Sequence, residues 1–470
     1  MIKFANKDFR GYNIRIGYIY TCITEKEVIM KRFFKFTLPS VFSMWVYALY
    51  TMVDGFFVAN YVGETEFAAV NISMPVVTTF FAIGILLSIG TQAKVGHSLG
   101  AGDLKRANQI FSTAFLSLII IGLSYMAIIY IFMEKIIYAI GANEETYIYV
   151  KDYLSTVLPF ALFFMTTYQF EVMVKLDGFP MITAFSVFVS ALTNIILDYL
   201  FIVRYDMGVY GAALATGIAQ LVSSALMFSH FFNRKGKLKF VKSYDFKILK
   251  KILPLGIGDA ISEVAIGYTV FLFNRTILRM VGPEGLIIYA AISYISIFAQ
   301  VAMTGVAQGL APLFAVDYGR KDYKKILKTL AGGFVFVLSI ALVFKVLVIF
   351  FGDDLVNLFL EEGTKLTQKT SQALSAYSYS YFFTGLNVIM VTVFASLGRS
   401  KYSILISLLR TPISITIMML IYENFIGGPF IWSVLTCTEA FTAIIALYFI
   451  RHEIIRPLKV AHKKQIKKNV

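Results

Sequence analysis

Long apolar stretches broken by short polar segments run almost the whole length of the chain. Twelve can be marked: 33–60, 67–92, 107–133, 153–176, 180–203, 209–232, 252–274, 285–313, 329–351, 375–397, 402–422 and 428–450. Most reach the roughly 20 residues that carry a helix across a bilayer. Backbone groups inside a bilayer must pair within the protein, so only helices or closed barrels cross it. A barrel strand alternates apolar and polar residues over about ten positions, whereas these stretches are apolar throughout. The pattern predicts an all-α membrane protein of about twelve transmembrane helices.

Composition supports that solvent preference. Of the 470 residues 58% are hydrophobic and 15% charged, against roughly 25% charged in soluble domains, and mean hydropathy is +0.73. The net charge of +15 would suit nucleic acid, but the placement of the charges argues for topology instead. Of the 43 Lys and Arg, 33 fall in the two ends of the chain and in alternate loops, and an excess of that kind marks cytoplasmic segments. Lys35, Lys345 and Arg410 fall within spans, and Lys175, at the very end of the fourth, is counted with the loop that follows it. The segments 94–106, 233–251 and 316–328 are basic, and 134–152 and 352–369 carry eight acids, so the former are expected inside and the latter outside. The division expected is a cytoplasmic tail 1–32, a six-helix lobe 33–232, a basic linker 233–251, a second six-helix lobe 252–450 and a basic tail 451–470. The first 29 residues lack an apolar core of the signal-peptide kind and read as a solvated tail, or as an over-long start before Met30. Cys22 and Cys437 fit neither a disulfide framework nor a thiolate metal site.

An internal repeat is legible. Leu38-Pro39 recurs as Leu253-Pro254, Val62-Gly63 as Val281-Gly282, Gly178 as Gly398 and Thr216 as Thr436. The loop Leu99–Arg106 recurs as Tyr318–Lys325, and from Val62 onward the offset stays at 219 or 220 residues. Both halves start on the same side, so the repeat is parallel, with a pseudo-two-fold axis along the membrane normal, as in several transporter folds. A substrate path between the halves follows naturally.

No nucleotide-binding loop, G-x-S-x-G or H-E-x-x-H motif is present, and His452-Glu453-Ile454-Ile455-Arg456 lacks the second histidine of a zinc helix. Transport powered within this chain would therefore draw on an ion gradient, with no cofactor and no enzymatic step. Acids inside spans are costly and often serve transport. They are Asp54, Glu171, Asp198, Asp259, Glu263 and Glu439. At 1.5 Å per residue, Asp54, Asp198 and Thr216 all lie roughly 9 to 11 Å below the outer surface, with Asn194 one turn before Asp198. Two carboxylates, an amide and a hydroxyl at one depth suit a proton or a small hard cation. The repeat places Phe273, Ser414 and Met418 opposite Asp54, Asn194 and Asp198, so the set is confined to one half. Asp259 and Glu263, one turn apart on the seventh span, could meet a cationic substrate or form a packing cluster. Glu171 and Glu439 read as structural, and Arg410 is expected to neutralise one of the intramembrane acids.

Several segments resemble the multidrug and toxic compound extrusion family. They are Leu49–Gly63 around Asp54, Asn194–Ile202, Gly208–Thr216, Gln308–Pro312 with Tyr318-Gly319, and Leu408-Leu409-Arg410. The resemblance covers nearly the whole chain after Met30 and is nearest the bacterial DinF/MepA-like branch. It implies two lobes around a central V-shaped cavity, and drug extrusion coupled to inward proton or sodium flow. It also implies that Asp54, Asn194, Asp198 and Thr216 serve cation coupling, and that Pro39 is a helix hinge. Glu263 sits where some branches carry a seventh-helix glutamate, but the tenth-helix acid of some branches is missing from 375–397. That departure weakens any expectation of cation coupling in the second lobe.

The leading expectation is a cation-coupled exporter of amphipathic, cationic compounds in the bacterial inner membrane. It would act as a monomer, with small molecules and membrane lipid as partners and no nucleic acid. The alternatives are a lipid-linked saccharide flippase and a non-transporting receptor or scaffold. Charge asymmetry yields a direct test of orientation. With Cys22 and Cys437 replaced, Glu361→Cys should react with an impermeant thiol reagent in intact cells, while Lys237→Cys stays protected. The opposite labelling pattern would invert the topology.

Overall fold

The computed structural model describes residues 5–232 and 235–468, and side chains from Glu27 to Lys467 other than that of Pro429. The side chain of Cys22 and residues 1–4 of the expected tail lie outside that description. All regular structure among the described residues is helical. The helices are α1 (Ala5–Tyr61), α2 (Glu64–Gly100), α3 (Leu104–Ile131), α4 (Glu144–Leu176), α5 (Pro180–Arg204) and α6 (Gly208–Phe232). The second half comprises α7 (Phe246–Met280), α8 (Pro283–Gly319), α9 (Tyr323–Asn357), α10 (Lys365–Tyr377 and Ser380–Ser396, bent by 40°), α11 (Ser400–Ile426) and α12 (Phe430–Lys467). Eleven are long and apolar enough to cross a membrane, and the bent pair makes twelve. An even number of crossings puts both ends of the chain on one face, termed here the terminal face.

Several helices outrun their apolar cores. Helix α1 starts well before the apolar stretch at 33, and the short helix Met133–Ala139 and the first turns of α4 occupy much of 134–152. The physical reason lies in caps that hydropathy does not register. Asn143 accepts from Thr146 N at 2.8 Å while Thr146 Oγ1 accepts from Asn143 N at 3.0 Å, satisfying otherwise orphaned donors. Thr364 caps the first part of α10 by accepting from Thr367 N.

The repeat is visible in backbone detail. Gly63 and Gly282 both turn the chain with φ of 117° and 91°, a region that only glycine enters freely. Asp103 caps α3 by accepting from Arg106 N at 2.9 Å, and Asp322 caps α9 by accepting from Lys325 N at 3.2 Å. Within each lobe the same neighbours recur: α1 with α5 as α7 with α11, α2 with α4 as α8 with α10, and α4 with α6 as α10 with α12.

Between the lobes α1 packs on α8 and α7 on α2, and α2 meets α8 at the axis. A Cβ on Gly100 would lie 2.1 Å from the Val316 carbonyl oxygen, and one on Gly319 would lie 2.2 Å from that of His97. These two approaches are images of each other in the repeat. The apolar cores cross the seam as well. Phe33, Phe36 and Val41 of α1 belong to the core built by α8–α12, while Ile248 and Ile252 at the base of α7 belong to that of α3, α4 and α6. Polar bridges tie the seam on the terminal side: Arg32 to Asp317 at 2.8 Å, His97 Nε2 to the Ser396 carbonyl at 2.7 Å, and Lys175 to Gln308 at 3.4 Å. Trp45 Nε1 donates to the Phe298 carbonyl at 3.0 Å near mid-helix. Among the described residues no cross-lobe hydrogen bond lies farther from the terminal face.

Candidate functional site

Helices α1, α5 and α6 bring the four first-lobe candidates into one cluster. Asp54 on α1 faces Asp198 on α5, each carboxyl lying in the field of the other. Asn194, one turn earlier on α5, donates through Nδ2 to Thr216 Oγ1 on α6 at 3.4 Å. Asp198 and Asn194 are both fully buried. Apart from the contact of the two carboxyls with each other, both Asp198 oxygens, Asn194 Oδ1 and Asp54 Oδ1 lack a hydrogen-bond partner among the described groups. Just past Asp198 the helix widens into a π-turn, Tyr199–Arg204, a distortion frequent at functional sites. Buried polar atoms in proteins are nearly always bonded. These four acceptor atoms belong to this one cluster, three of them on the two facing carboxyls.

Tyr153 on α4, which periodicity did not single out, is buried within the field of both carboxyls. Tyr50, one turn before Asp54, lies near it as well. Nothing in the sequence distinguishes these two from the other 26 tyrosines.

A second acidic group lies at the seam between the lobes. Asp259 and Glu263 of α7 act on Tyr168 of α4, and Glu263 also acts on Tyr47 of α1. Glu171 shares this region but is neutralised by Lys175 at 2.5 Å, whose side chain is 1% exposed. That lysine, which by sequence position belongs to the charges near the terminal face, is thus a buried partner. Asp259 Oδ2 is buried and unpartnered, and among the described residues neither Asp259 nor Glu263 forms an ion pair. Two acids without an ion partner thus lie within reach of two tyrosines, Tyr47 and Tyr168. Pro39 lies within α1 at the level of the seam, with its carbonyl accepting from Ser43 Oγ at 2.9 Å.

The second lobe uses its charges differently. Arg410 Nε donates to both oxygens of Glu439, at 2.8 and 3.1 Å, and Asn387 Nδ2 donates to Glu439 Oε2 at 2.6 Å. The acid that Arg410 neutralises is therefore Glu439. Lys345 donates to the Ser375 carbonyl at 2.7 Å and sits 3.7 Å from the centroid of the Tyr379 ring. At the images of Asp54, Asn194 and Asp198 stand Phe273, stacked on Tyr289 at 4.8 Å, Ser414 and Met418.

The MatE family model matches residues 39–200 and again 260–420, once in each lobe. The chain belongs to the MatE family. Among curated MatE-like relatives, multidrug export protein MepA of Staphylococcus aureus is 24% identical over 447 residues, covering 91% of this chain and 95% of that one. MepA of Staphylococcus saprophyticus is 23% identical with the same coverage. Solved structures share the fold. A multidrug resistance MATE family transporter in an outward-facing conformation superposes with a TM-score of 0.86 at 20% identity, over 92% of this chain and 97% of that one. A MOP superfamily transporter from Pyrococcus furiosus, described as having a binding pocket of reverse polarity, gives 0.84 at the same identity and coverage. This MatE chain is thus a multi-pass membrane transporter whose two lobes each carry the family's unit.

The Arg410–Glu439 pair is testable as a structural fastening. Removing one member strands the other charge in a low-dielectric site, at a cost of about 3–5 kcal/mol. Glu439→Leu or Arg410→Met should each lower the thermal midpoint of the purified protein sharply, and the double substitution should recover most of the loss. Unchanged midpoints in both single variants would remove the pair from the structural framework.

Proposed function

We propose that this MatE protein is a cation-coupled antiporter that exports amphipathic, cationic drugs or toxic compounds. The observation that carries the reading is Asp198, fully buried with both oxygens unpartnered, opposite Asp54 and beside the open oxygen of Asn194. Two facing carboxylates in a low dielectric repel one another, and a proton or sodium ion arriving between them relieves that repulsion. Thr216 holds Asn194 in place. The curated relatives named multidrug export proteins support the export of drugs, and the uncompensated Asp259 and Glu263 support a cationic cargo. A lipophilic cation meeting these acids beside Tyr47 and Tyr168 offsets their desolvation cost and offers its charge to aromatic faces. Pro39 lacks the N–H that would bond the carbonyl four residues earlier, so a bend there is cheap. The basic ends and linker support a bacterial inner membrane with both termini in the cytoplasm, and the chain acts as a monomer. The flippase reading loses its two candidate basic side chains, since Arg410 and Lys345 are both engaged elsewhere.

Coupling is tested with Asp54→Asn and Asp198→Asn at matched expression. Each should abolish gradient-driven ethidium efflux while the protein remains folded in the membrane. Proton- and sodium-gradient arms then identify the ion. Efflux equal to wild type in either variant would remove that residue from coupling.

Substrate charge is tested separately. Glu263→Gln should weaken binding of a cationic dye several-fold to the purified protein and leave a neutral dye unaffected. Parallel losses for both dyes, or a lowered thermal midpoint, would make Glu263 a packing residue instead.

A further inference from the structure

A cavity of about 170 Å³ lies at the seam on the terminal face, away from Asp54, Asp198, Asp259 and Glu263. Its floor is apolar, formed by Phe36 of α1, Leu176 of α4, and Leu313 and Val316 of α8. Its rim is cationic, formed by Arg32 of α1, Arg320 after α8, and Lys237 of the linker. Rim groups therefore come from both lobes.

The rim is held in place rather than left to chance. The fully buried Asp177 carboxylate accepts from Lys237 N at 2.9 Å, from Leu238 N at 3.3 Å and from His230 Nε2 at 2.8 Å. These bonds fix the backbone under Lys237, whose residue is exposed. Further along, Asn108, Ser112 and Thr113 of α3 accept from Lys239 N, Val241 N and Asp245 N at 2.8 to 3.0 Å. The linker is thereby strapped across the first lobe, with Lys237 at a set position. On the other side Asp317, 1% exposed, is shared by Arg32 at 2.8 Å and Arg320 at 3.8 Å. Arg32, Arg320 and Lys237 thus outnumber the two nearby carboxylates, Asp317 and the buried Asp177, and Arg320 remains about half exposed.

A second cavity of about 150 Å³ shares Arg32, Leu313 and Arg320 and continues along Val28 and Ile29 of α1. Excess positive charge at the membrane boundary, set over an apolar floor on the side of the spans, is complementary to one class of molecule. Basic pockets between transmembrane helices are known to take acidic lipid head groups.

We propose that this cavity seats the phosphate of an anionic phospholipid, with Arg320 and Lys237 holding the head group above the apolar floor of Phe36, Leu176, Leu313 and Val316. The phosphate bridges a group of each lobe, so its binding favours the state in which the lobes meet at the terminal face, and that state in turn binds it more tightly. Neither the coupling ion nor the drug takes part, so the seat stands or falls independently of the proposed export.

The test uses the full chain, purified and delipidated in neutral detergent, and follows its thermal midpoint and lipid retention by native mass spectrometry. Phosphatidylglycerol should raise the midpoint and stay bound, and phosphatidylcholine should do neither. In the double variant Lys237→Gln, Arg320→Gln the apparent affinity for phosphatidylglycerol should fall about ten- to thirtyfold, from roughly one surface-charge interaction lost per residue. Should the double variant be unstable without lipid, Lys237→Gln alone, an exposed side chain, should show a smaller loss in the same direction. An arm with inorganic phosphate separates the sources: stabilisation by phosphate alone, lost in the double variant, would keep the phosphate seat but overturn the lipid as its occupant. Equal retention of the two lipids, or phosphatidylglycerol binding unchanged in the double variant, overturns the proposal.

Discussion

A carboxylate within the membrane is costly unless a cation or a set of donors meets it, and that constraint sorts the acids of this chain into two kinds. Glu171 is met by Lys175, Glu439 by Arg410 and Asn387, Asp317 by Arg32, and Asp177 by His230 and two backbone N–H groups. Each of these fastens helices or the linker in place, and each is complete as it stands. Asp54, Asp198 and Asp259 keep buried oxygens with no donor, and Glu263 has no ion partner among the described residues. The completed acids build the scaffold. The incomplete ones carry an unmet desolvation cost, which under the proposed function an incoming cation would offset.

The repeat shows how one scaffold was furnished twice. At the junction of α4, α5 and α6, Ser190 donates to the Ala219 carbonyl at 2.8 Å and Thr167 to the Gln220 carbonyl at 3.1 Å. Their images in the second lobe are Arg410, Glu439 and Asn387, so a neutral hydroxyl-to-carbonyl set is replaced there by an ion pair and an amide. The exchange runs the other way at Asp54 and Asp198, whose images Phe273 and Met418 are apolar. Backbone packing is common to both lobes while the placement of charge is not, so chemical roles cannot be transferred from one lobe to the other by symmetry.

Much of this was legible in the sequence, for reasons that also mark the limit. Twelve apolar stretches and the 219- to 220-residue offset gave the helices and the parallel repeat, because hydropathy and glycine turns are local properties. The depths of Asp54, Asp198 and Thr216 brought the first-lobe candidates to one level, since rise per residue is fixed. Helix ends were less legible, since caps such as Asn143 and Thr364 extend helices into polar sequence. The partner of Arg410 was out of reach, because the side that α10 and α12 turn towards α11 is a tertiary fact. Tyr153 was missed for the same reason, and Lys175 looked like a loop charge although it is buried one turn from Glu171. Likewise the linker reads as a basic loop, and only the three α3 side chains that accept its N–H groups reveal a strap.

Helix α1 joins these regions mechanically. Its base is bound into the second lobe by Arg32–Asp317 and by Phe33 and Phe36, its middle is tied to α8 by Trp45, and Tyr47 meets the field of Glu263. Its far part carries Asp54 to the first-lobe cluster. Helix α7 is its image, with its base in the first lobe at Ile248 and Ile252, but its far part carries Phe273 stacked on Tyr289 where α1 carries an acid. A change in charge at Asp54 therefore acts on a rod anchored in the opposite lobe, whereas the corresponding point on α7 is fixed by aromatic packing. Under the proposed coupling the response to the cation is one-sided. It enters through α1, and its compliance is set at Pro39, where the helix is missing a backbone donor and the anchored base gives way to the charged far half.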